Sequence, residues 1–356
     1  MSLFYRETCQ DAPSAPVQLP SFIGDRQDDP RGYIADPGLV HAVNTALLLG
    51  KPMLITGEPG TGKTQLAASV ALQLGYGEPM SFVAKSISQS QDLFYGFDAL
   101  ARLKSGANEP HRPSGAPPGP RPVEPGAVEF IRYNALGMAI LFANEPDRVR
   151  HLLPSGMKHP GKRRSVVLID EVDKAPRDFP NDLLFELEHM AFRVPELNAF
   201  VQAEPELRPV VIITSNSERG LPDPFLRRCV YHDIEFPDRD RLQEILLARL
   251  GKELDADFGR AALDLFAVLR ADGLRLSKKP STAELIGWMI ALLRHATLVK
   301  DGSELATRAL RNPLSRPETA KQTLGALIKS REDRKQALPE VERWAAAQAA
   351  GSAKRG

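Results

Sequence analysis

Apolar strand-like runs that end in polar tips and alternate with helical spacing predict an α/β fold: a doubly wound, mostly parallel sheet followed by a smaller all-helical domain. Three observations carry that expectation. Pro52-Met53-Leu54-Ile55-Thr56 reads as a buried strand running into a glycine-rich octet. Ser165-Val166-Val167-Leu168-Ile169 ends in two adjacent carboxylates, Asp170 and Glu171. Val210-Val211-Ile212-Ile213-Thr214-Ser215-Asn216 repeats the arrangement of a polar tip on a buried strand.

In chain order, residues 1–32 are rich in Pro, Asp and Gln without periodicity and read as an N-terminal arm. Asp36 can cap a helix whose first position is Pro37 and whose apolar face is Leu39, Val40, Val43 and Leu47. After the first strand, Leu66, Ala67, Val70, Ala71 and Leu74 give helical spacing before Gly75. Ser81–Ala84 is a second strand. Residues 104–126 hold seven prolines and no apolar face, which makes them an insertion outside the core. Phe130–Tyr133 reads as a hairpin edge leading into a short helix over 136–141. A helix through Leu183, Leu184, Leu187 and Met190 follows the two carboxylates. From about residue 238 amphipathic helices take over, with Leu242, Ile245, Leu246 and Leu250 on one face and Leu285, Trp288, Met289 and Leu292 on another. Ser281 and Glu284 make a capping box. The organisation expected is therefore an arm (1–32), an α/β domain (33–237), a helical domain (238–299) and a C-terminal extension (300–356). That extension holds twelve Lys/Arg against seven Asp/Glu, scattered, and reads as a solvated helical tail.

Composition narrows the setting. In 356 residues, 46 Lys+Arg balance 45 Asp+Glu, so nothing global favours nucleic acid or a membrane surface as partner. Cys9 and Cys229 are too few for a disulfide framework, which fits a reducing compartment. No apolar run approaches the roughly eighteen residues of a membrane span, and the N-terminus lacks the apolar core of a signal peptide. A cytoplasmic protein is the expectation.

The octet Gly57-Glu58-Pro59-Gly60-Thr61-Gly62-Lys63-Thr64 fills every position of the phosphate-binding pattern G-x-x-x-x-G-K-[ST]. Its glycines let backbone N–H groups turn toward phosphate oxygens, and the following helix adds the positive end of its dipole. Lys63 then reaches the β and γ phosphates, and the Thr64 hydroxyl is a ligand for Mg²⁺. Phosphoryl transfer to water also needs a metal partner, a group that handles the water, and charge on the leaving γ-phosphate. Asp170 fits the metal partner, with Thr64. Glu171 is placed to take or orient the proton of water, and Asn216 to hold that water or the γ-phosphate.

With these residues the chain resembles an AAA+ ATPase, and within that superfamily a MoxR-like ATPase. The resemblance covers about 33–298. It rests on Gly57–Thr64 (Walker A), Val167–Glu171 continuing into Val172-Asp173-Lys174-Ala175-Pro176 (Walker B), Ile213–Asn216 (sensor 1) and Leu221-Pro222-Asp223-Pro224-Phe225-Leu226-Arg227-Arg228-Cys229. It implies a P-loop AAA+ core with a helical lid, ATP and Mg²⁺ as cofactors, an arginine finger at Arg228 with Arg227 beside it, and adenine contacts near Tyr33 and Ile34. It also implies a ring homo-oligomer, a hexamer, that chaperones a protein client, often one with a von Willebrand factor A domain. The sensor 2 arginine of many relatives falls on Ala283, with Lys278 or Lys279 as substitutes. Two other classes stay open: a nucleotide-switched scaffold or sensor in signalling or defence, and a nucleic-acid motor. Complete catalytic residues argue against the first as a purely structural role, and the near-neutral charge against the second.

Overall fold

The β-branched runs form the strands of a five-stranded sheet in a computed structural model, which describes residues 29–105, 126–251, 254–298, 314 and 317–353. The bulk of the expected arm, residues 1–28, and of the proline-rich insertion, 106–125, lies outside the described residues. The chain divides into two compact units. One holds residues 35–57 and 63–235; the other holds 58–62, the chain from Phe236 onward and the segment up to Ile34.

In the first unit the strands are β1 (Met53–Gly57), β2 (Met80–Val83), β5 (Val166–Asp170), β8 (Val210–Thr214) and β9 (Val230–Ile234), in the order β2-β5-β8-β1-β9. Every pairing is parallel. A parallel sheet covered on both faces has strands apolar on both sides, which is why β1, β5 and β8 read as continuous runs. Helix Lys63–Leu74 buries Leu66, Ala67, Val70 and Ala71. Helix Ala135–Phe142 is apolar all round and buried nearly throughout, as such a helix must be. Two antiparallel pairs complete the unit: β3 (Tyr95–Phe97) with β4 (Ile131–Tyr133), and β6 (Ala191–Val194) with β7 (Ala199–Gln202). Phe192 stacks on Phe94, lies tilted to Tyr95 and meets Tyr133 edge-on.

Several expectations need correction. Helix Pro37–Leu49 is capped by Asp36, whose Oδ1 accepts from Leu39 N at 2.8 Å. Its buried residues, however, are Leu39 and Ala46, and Val40 is 43 % exposed. The sequence reading also lacks β3, β6, β7 and β9. The first three are only three or four residues long, and β9 is an edge strand carrying Tyr231, His232 and Asp233, so none gives an apolar run long enough to read as a strand.

The second unit is helical: Arg239–Leu250, Ala256–Arg270, Thr282–Leu298, Pro317–Thr323 and Arg331–Ala353. Its core joins Phe258, Leu265, Phe266, Leu285, Trp288, Met289 and Leu292 to Leu324, Leu327, Val341 and Trp344. The C-terminal extension is therefore not a solvated tail. Its apolar residues are sparse, yet Leu314, Ala320, Leu324, Leu327, Val341 and Trp344 are buried, and averaging over its charges hides them. Trp288 Nε1 donates to Thr323 Oγ1 at 2.9 Å, which ties the extension to helix Thr282–Leu298. Asp333, only 1 % exposed, accepts from Ser277 N, Ser277 Oγ and Lys278 N. The Ser277 backbone N–H, the strongest of several donors, holds this carboxyl below its ordinary value of 3.8. Its contribution is thus present above 3.8 and lost as pH falls further.

One contact gives a sharp test of the α/β packing. A Cβ added at Gly137 would lie 2.0 Å from the Phe94 carbonyl oxygen, and that oxygen accepts from Asn134 N at 2.8 Å at the start of the same helix. Gly137→Ala should therefore destabilise the unit by about 1–3 kcal/mol or more, read as a lower midpoint in urea. A midpoint equal to the parent's would show that the two backbones separate freely.

Candidate active site

Parallel register brings the ends of β1, β5 and β8 to one edge of the sheet, where Gly57, Asp170 and Thr214 stand. Gly57 has φ 141°, a conformation that favours glycine. Lys63 opens the next helix, is 8 % exposed, and donates from Nζ to Gly57 O at 2.8 Å. Burial holds its proton affinity below the ordinary lysine value, opposed by the carboxylates of Asp173, Asp170, Asp233 and Glu171. Thr64 Oγ1 donates to both oxygens of Asp170, at 3.1 and 3.2 Å.

Thr214 is a site residue that the sequence reading did not single out. Its hydroxyl donates to Asp170 Oδ1 at 2.5 Å and accepts from Glu171 N at 2.9 Å. Glu171 has φ 57°, one of three non-glycine residues with positive φ among the described residues. Such a conformation costs on the order of 1–3 kcal/mol and persists where neighbours impose it. The signal for Thr214 was available: a hydroxyl closing a buried apolar strand must find a partner. Beyond Glu171, the three-residue turn Val172–Lys174 makes two further contacts. Lys174 Nζ pairs with Glu171 Oε2 at 2.5 Å, which raises the proton affinity of that lysine. Asn216 donates from N and Nδ2 to Asp173 at 3.2 and 3.1 Å.

Phosphate-loop residues 58–62 group with the helical unit. Gly60 and Gly62 have φ 77° and 93°. A Cβ at Gly60 would stand 2.6 Å from Ser281 Oγ, and one at Gly62 would stand 3.2 Å from the Tyr33 ring. Thr61 Oγ1 donates to Glu58 O at 2.9 Å. Pro59 is exposed and Ile34 half-buried. The Ser281–Glu284 capping box forms as expected, with Ser281 N to Glu284 Oε2 at 2.8 Å and Glu284 N to Ser281 Oγ at 3.3 Å. Ala283, where the resemblance puts sensor 2, donates its backbone N–H to Gly60 O at 3.3 Å. Lys279 pairs with Asp272 at 2.7 Å. Arg270 reaches the loop instead: its Nη2 donates to Glu58 Oε2 at 3.0 Å, Nη1 to Pro280 O at 2.7 Å, and the guanidinium lies 3.3 Å from the centre of the Phe236 ring. Sequence reasoning passed over Arg270 because it sits in the last turn of a helix, where a basic residue needs no other explanation.

Arg228 is exposed and pairs with Glu188 Oε2 at 3.1 Å and Pro224 O at 3.1 Å. Neither contact is to Lys63, Thr64, Asp170, Glu171 or Asn216. Arg227 is exposed as well.

Residues 53–238, more than half of the chain, match the family described as ATPase family associated with various cellular activities (AAA). The chain belongs to the AAA ATPases. An AAA domain implies nucleotide binding and ATP-dependent activity, typically with Mg²⁺. Three solved structures similar to this chain are variants of Thermotoga maritima RuvB. They are 17 %, 15 % and 16 % identical, cover 80 %, 83 % and 83 % of this chain and 67 %, 69 % and 69 % of their own, and have a TM-score of 0.43 each. No curated protein matches the chain.

The residues present fit a magnesium ion. Thr64 and Asp170 bring hydroxyl and carboxylate oxygens together, the hard donors that this ion takes. Among the described residues no group of three His, Cys, Asp or Glu could hold a metal.

Two substitutions test this arrangement. Thr214→Val keeps the shape and removes the hydroxyl, leaving the Glu171 N–H without its acceptor. We expect a loss of about 1–3 kcal/mol in unfolding free energy together with weaker Mg²⁺ dependence of nucleotide binding; an unchanged protein would remove Thr214 from the site. Lys63 poses the opposite case. The folded chain binds its proton less readily than the unfolded chain, so the cost is full below the folded value and disappears as pH rises past 10.5. Lys63→Met should therefore melt no lower than the parent at pH 7 while losing nucleotide affinity, and calorimetry with and without ATP measures both.

Proposed function

We propose that this AAA ATPase hydrolyses ATP with Mg²⁺, closes into a ring of six subunits, and uses turnover to remodel or chaperone a protein client in the manner of the MoxR-like branch. The observation that carries the hydrolytic part is the joint placement of Asp170 and Glu171 at the end of β5. Thr64 bonds the first, and Thr214 bonds both. The MoxR-like assignment rests on the resemblance over Gly57–Thr64, Val167–Pro176, Ile213–Asn216 and Leu221–Cys229, and a client with a von Willebrand factor A domain rests on that resemblance alone. In this reading residues 33–237 bind the nucleotide, 238–299 act as its lid and 300–356 extend it. Among the described residues no helix is long and apolar enough to cross a membrane, and the proposed setting is the cytoplasm.

The chemistry follows from the residues. Backbone N–H groups of 57–64 and the N-terminal end of helix Lys63–Leu74 receive the phosphates. Lys63 exchanges the Gly57 carbonyl for a phosphate oxygen, a stronger partner for a desolvated cation. Thr64 and Asp170 hold the Mg²⁺, which when bound neutralises charge on the phosphates. Glu171 takes the proton of the attacking water, and its ion pair with Lys174 loosens as it does so. Asn216 orients that water. Tyr33 and Ile34 lie toward the adenine. Arg228, whose contacts in its own chain are with Glu188 and Pro224, serves the site of a neighbouring subunit.

Glu171→Gln should bind ATP with nearly parental affinity and barely hydrolyse it, and it should retain a client protein on co-purification; normal turnover would remove Glu171 from the chemistry. Arg228→Ala should lose on the order of 10³ to 10⁵ in rate, and mixing it with Lys63→Ala should recover part of the turnover while light scattering shows a ring. Full activity in Arg228→Ala, or in a dilute monomer, would sink the shared-site reading.

A further inference from the structure

In the segment that follows Asp170 and Glu171, one carboxylate stands without an assigned task. Asp173 follows Glu171 by two positions, in the turn Val172–Lys174. The turn is firmly placed: Val172 is buried in the apolar core, Lys174 N donates to Glu171 O at 2.9 Å, and Ala175 N donates to Val172 O at 3.2 Å. From this base the Asp173 carboxylate accepts two bonds from a single residue on the neighbouring strand's exit: Asn216 N reaches Oδ1 at 3.2 Å and Asn216 Nδ2 reaches Oδ2 at 3.1 Å.

We propose that Asp173 is a positioning residue for hydrolysis, which holds the Asn216 amide in the one orientation that presents its oxygen and its second N–H to the water and the γ-phosphate. This rests on the hydrolytic reading above. An amide is nearly symmetric in shape, and a half-turn about its last bond exchanges a donor for an acceptor. A carboxylate oxygen facing it decides between the two, because only the NH₂ side can bond there. The backbone bond matters as much: it fixes the main chain of residue 216 against the turn, so the side chain has a defined origin. One N–H is thus committed to Asp173. The remaining N–H suits a phosphate oxygen, and Oδ1 suits a water proton. Lys174, next in the same turn, grips Glu171 by its carboxylate. A single three-residue turn therefore sets both groups that handle water, and errors in their mutual placement are kept small. Asp173 also heads the carboxylates that favour the protonated form of Lys63, so its charge is felt within the site.

A role confined to stability would change melting and leave the kinetics of the folded enzyme alone. The test compares Asp173→Ala, Asp173→Asn and Asn216→Ala for steady-state turnover, ATP affinity and melting temperature. Asp173→Ala should lower kcat by on the order of ten- to a hundredfold with ATP affinity within about threefold of the parent. Asp173→Asn keeps only one of the two acceptor oxygens and turns an NH₂ group toward the other Asn216 N–H, so it should recover no more than part of the loss. In an Asn216→Ala background Asp173→Ala should cost little more, since the two act as one unit. Should Asp173→Ala fail to fold, Asp173→Ser, polar but too short to reach Nδ2, takes its place. Full turnover in Asp173→Ala or in Asp173→Asn, an additive loss with Asn216→Ala, or a loss confined to ATP affinity would each overturn the proposal. Glu171→Gln measured alongside separates the two levels: normal turnover there sinks the hydrolytic reading and this proposal with it. An inactive Glu171→Gln beside a fully active Asp173→Ala sinks the proposal alone.

Discussion

The hydroxyl of Thr214 joins the ends of two strands, and the candidate site is arranged around it. As donor it meets Asp170, and as acceptor it satisfies the N–H of Glu171. A side chain that could only donate would leave the Glu171 N–H without this acceptor, and one that could only accept would leave Asp170 with Thr64 as its hydroxyl donor. Glu171, whose φ is positive, is held by the same bond. Register does the rest: because β5 and β8 run parallel with Ile169 opposite Ile213, the next residue of each strand falls where one hydroxyl reaches both.

Lys63 shows the other side of the same economy. A desolvated ammonium is a poor choice for stability, and four carboxylates are gathered near enough to support its charge. Burial and these carboxylates push its proton affinity in opposite directions, and burial prevails. The carbonyl of Gly57 holds the amine meanwhile.

Much of this was legible in the sequence because its carriers are local. The octet 57–64, the run ending at Asp170 and Glu171, and the run ending at Thr214 each announce strand and tip within a few residues. The parallel sheet follows from their alternation with helices. What escaped is what depends on distant partners. Arg270 and Glu58 are far apart in the chain, and neither residue type signals the other. Asp173 and Asn216 pair across two strands. Strands β3, β6, β7 and β9 are too short or too polar for a pattern, and their pairing is set by neighbours and not by their own residues. The buried face of 314–345 is diluted among charges, so hydrophobicity averaged along the segment reports its surface and not its core.

That last core has a practical corollary. The chain contains two tryptophans, and Trp288 and Trp344 are both buried in the helical unit. The α/β unit has none. Intrinsic indole emission is therefore a built-in probe of one body alone: it will follow the melting of the helices and the docking of the C-terminal segment, and it will be blind to loss of the sheet on which the phosphate-binding strand stands.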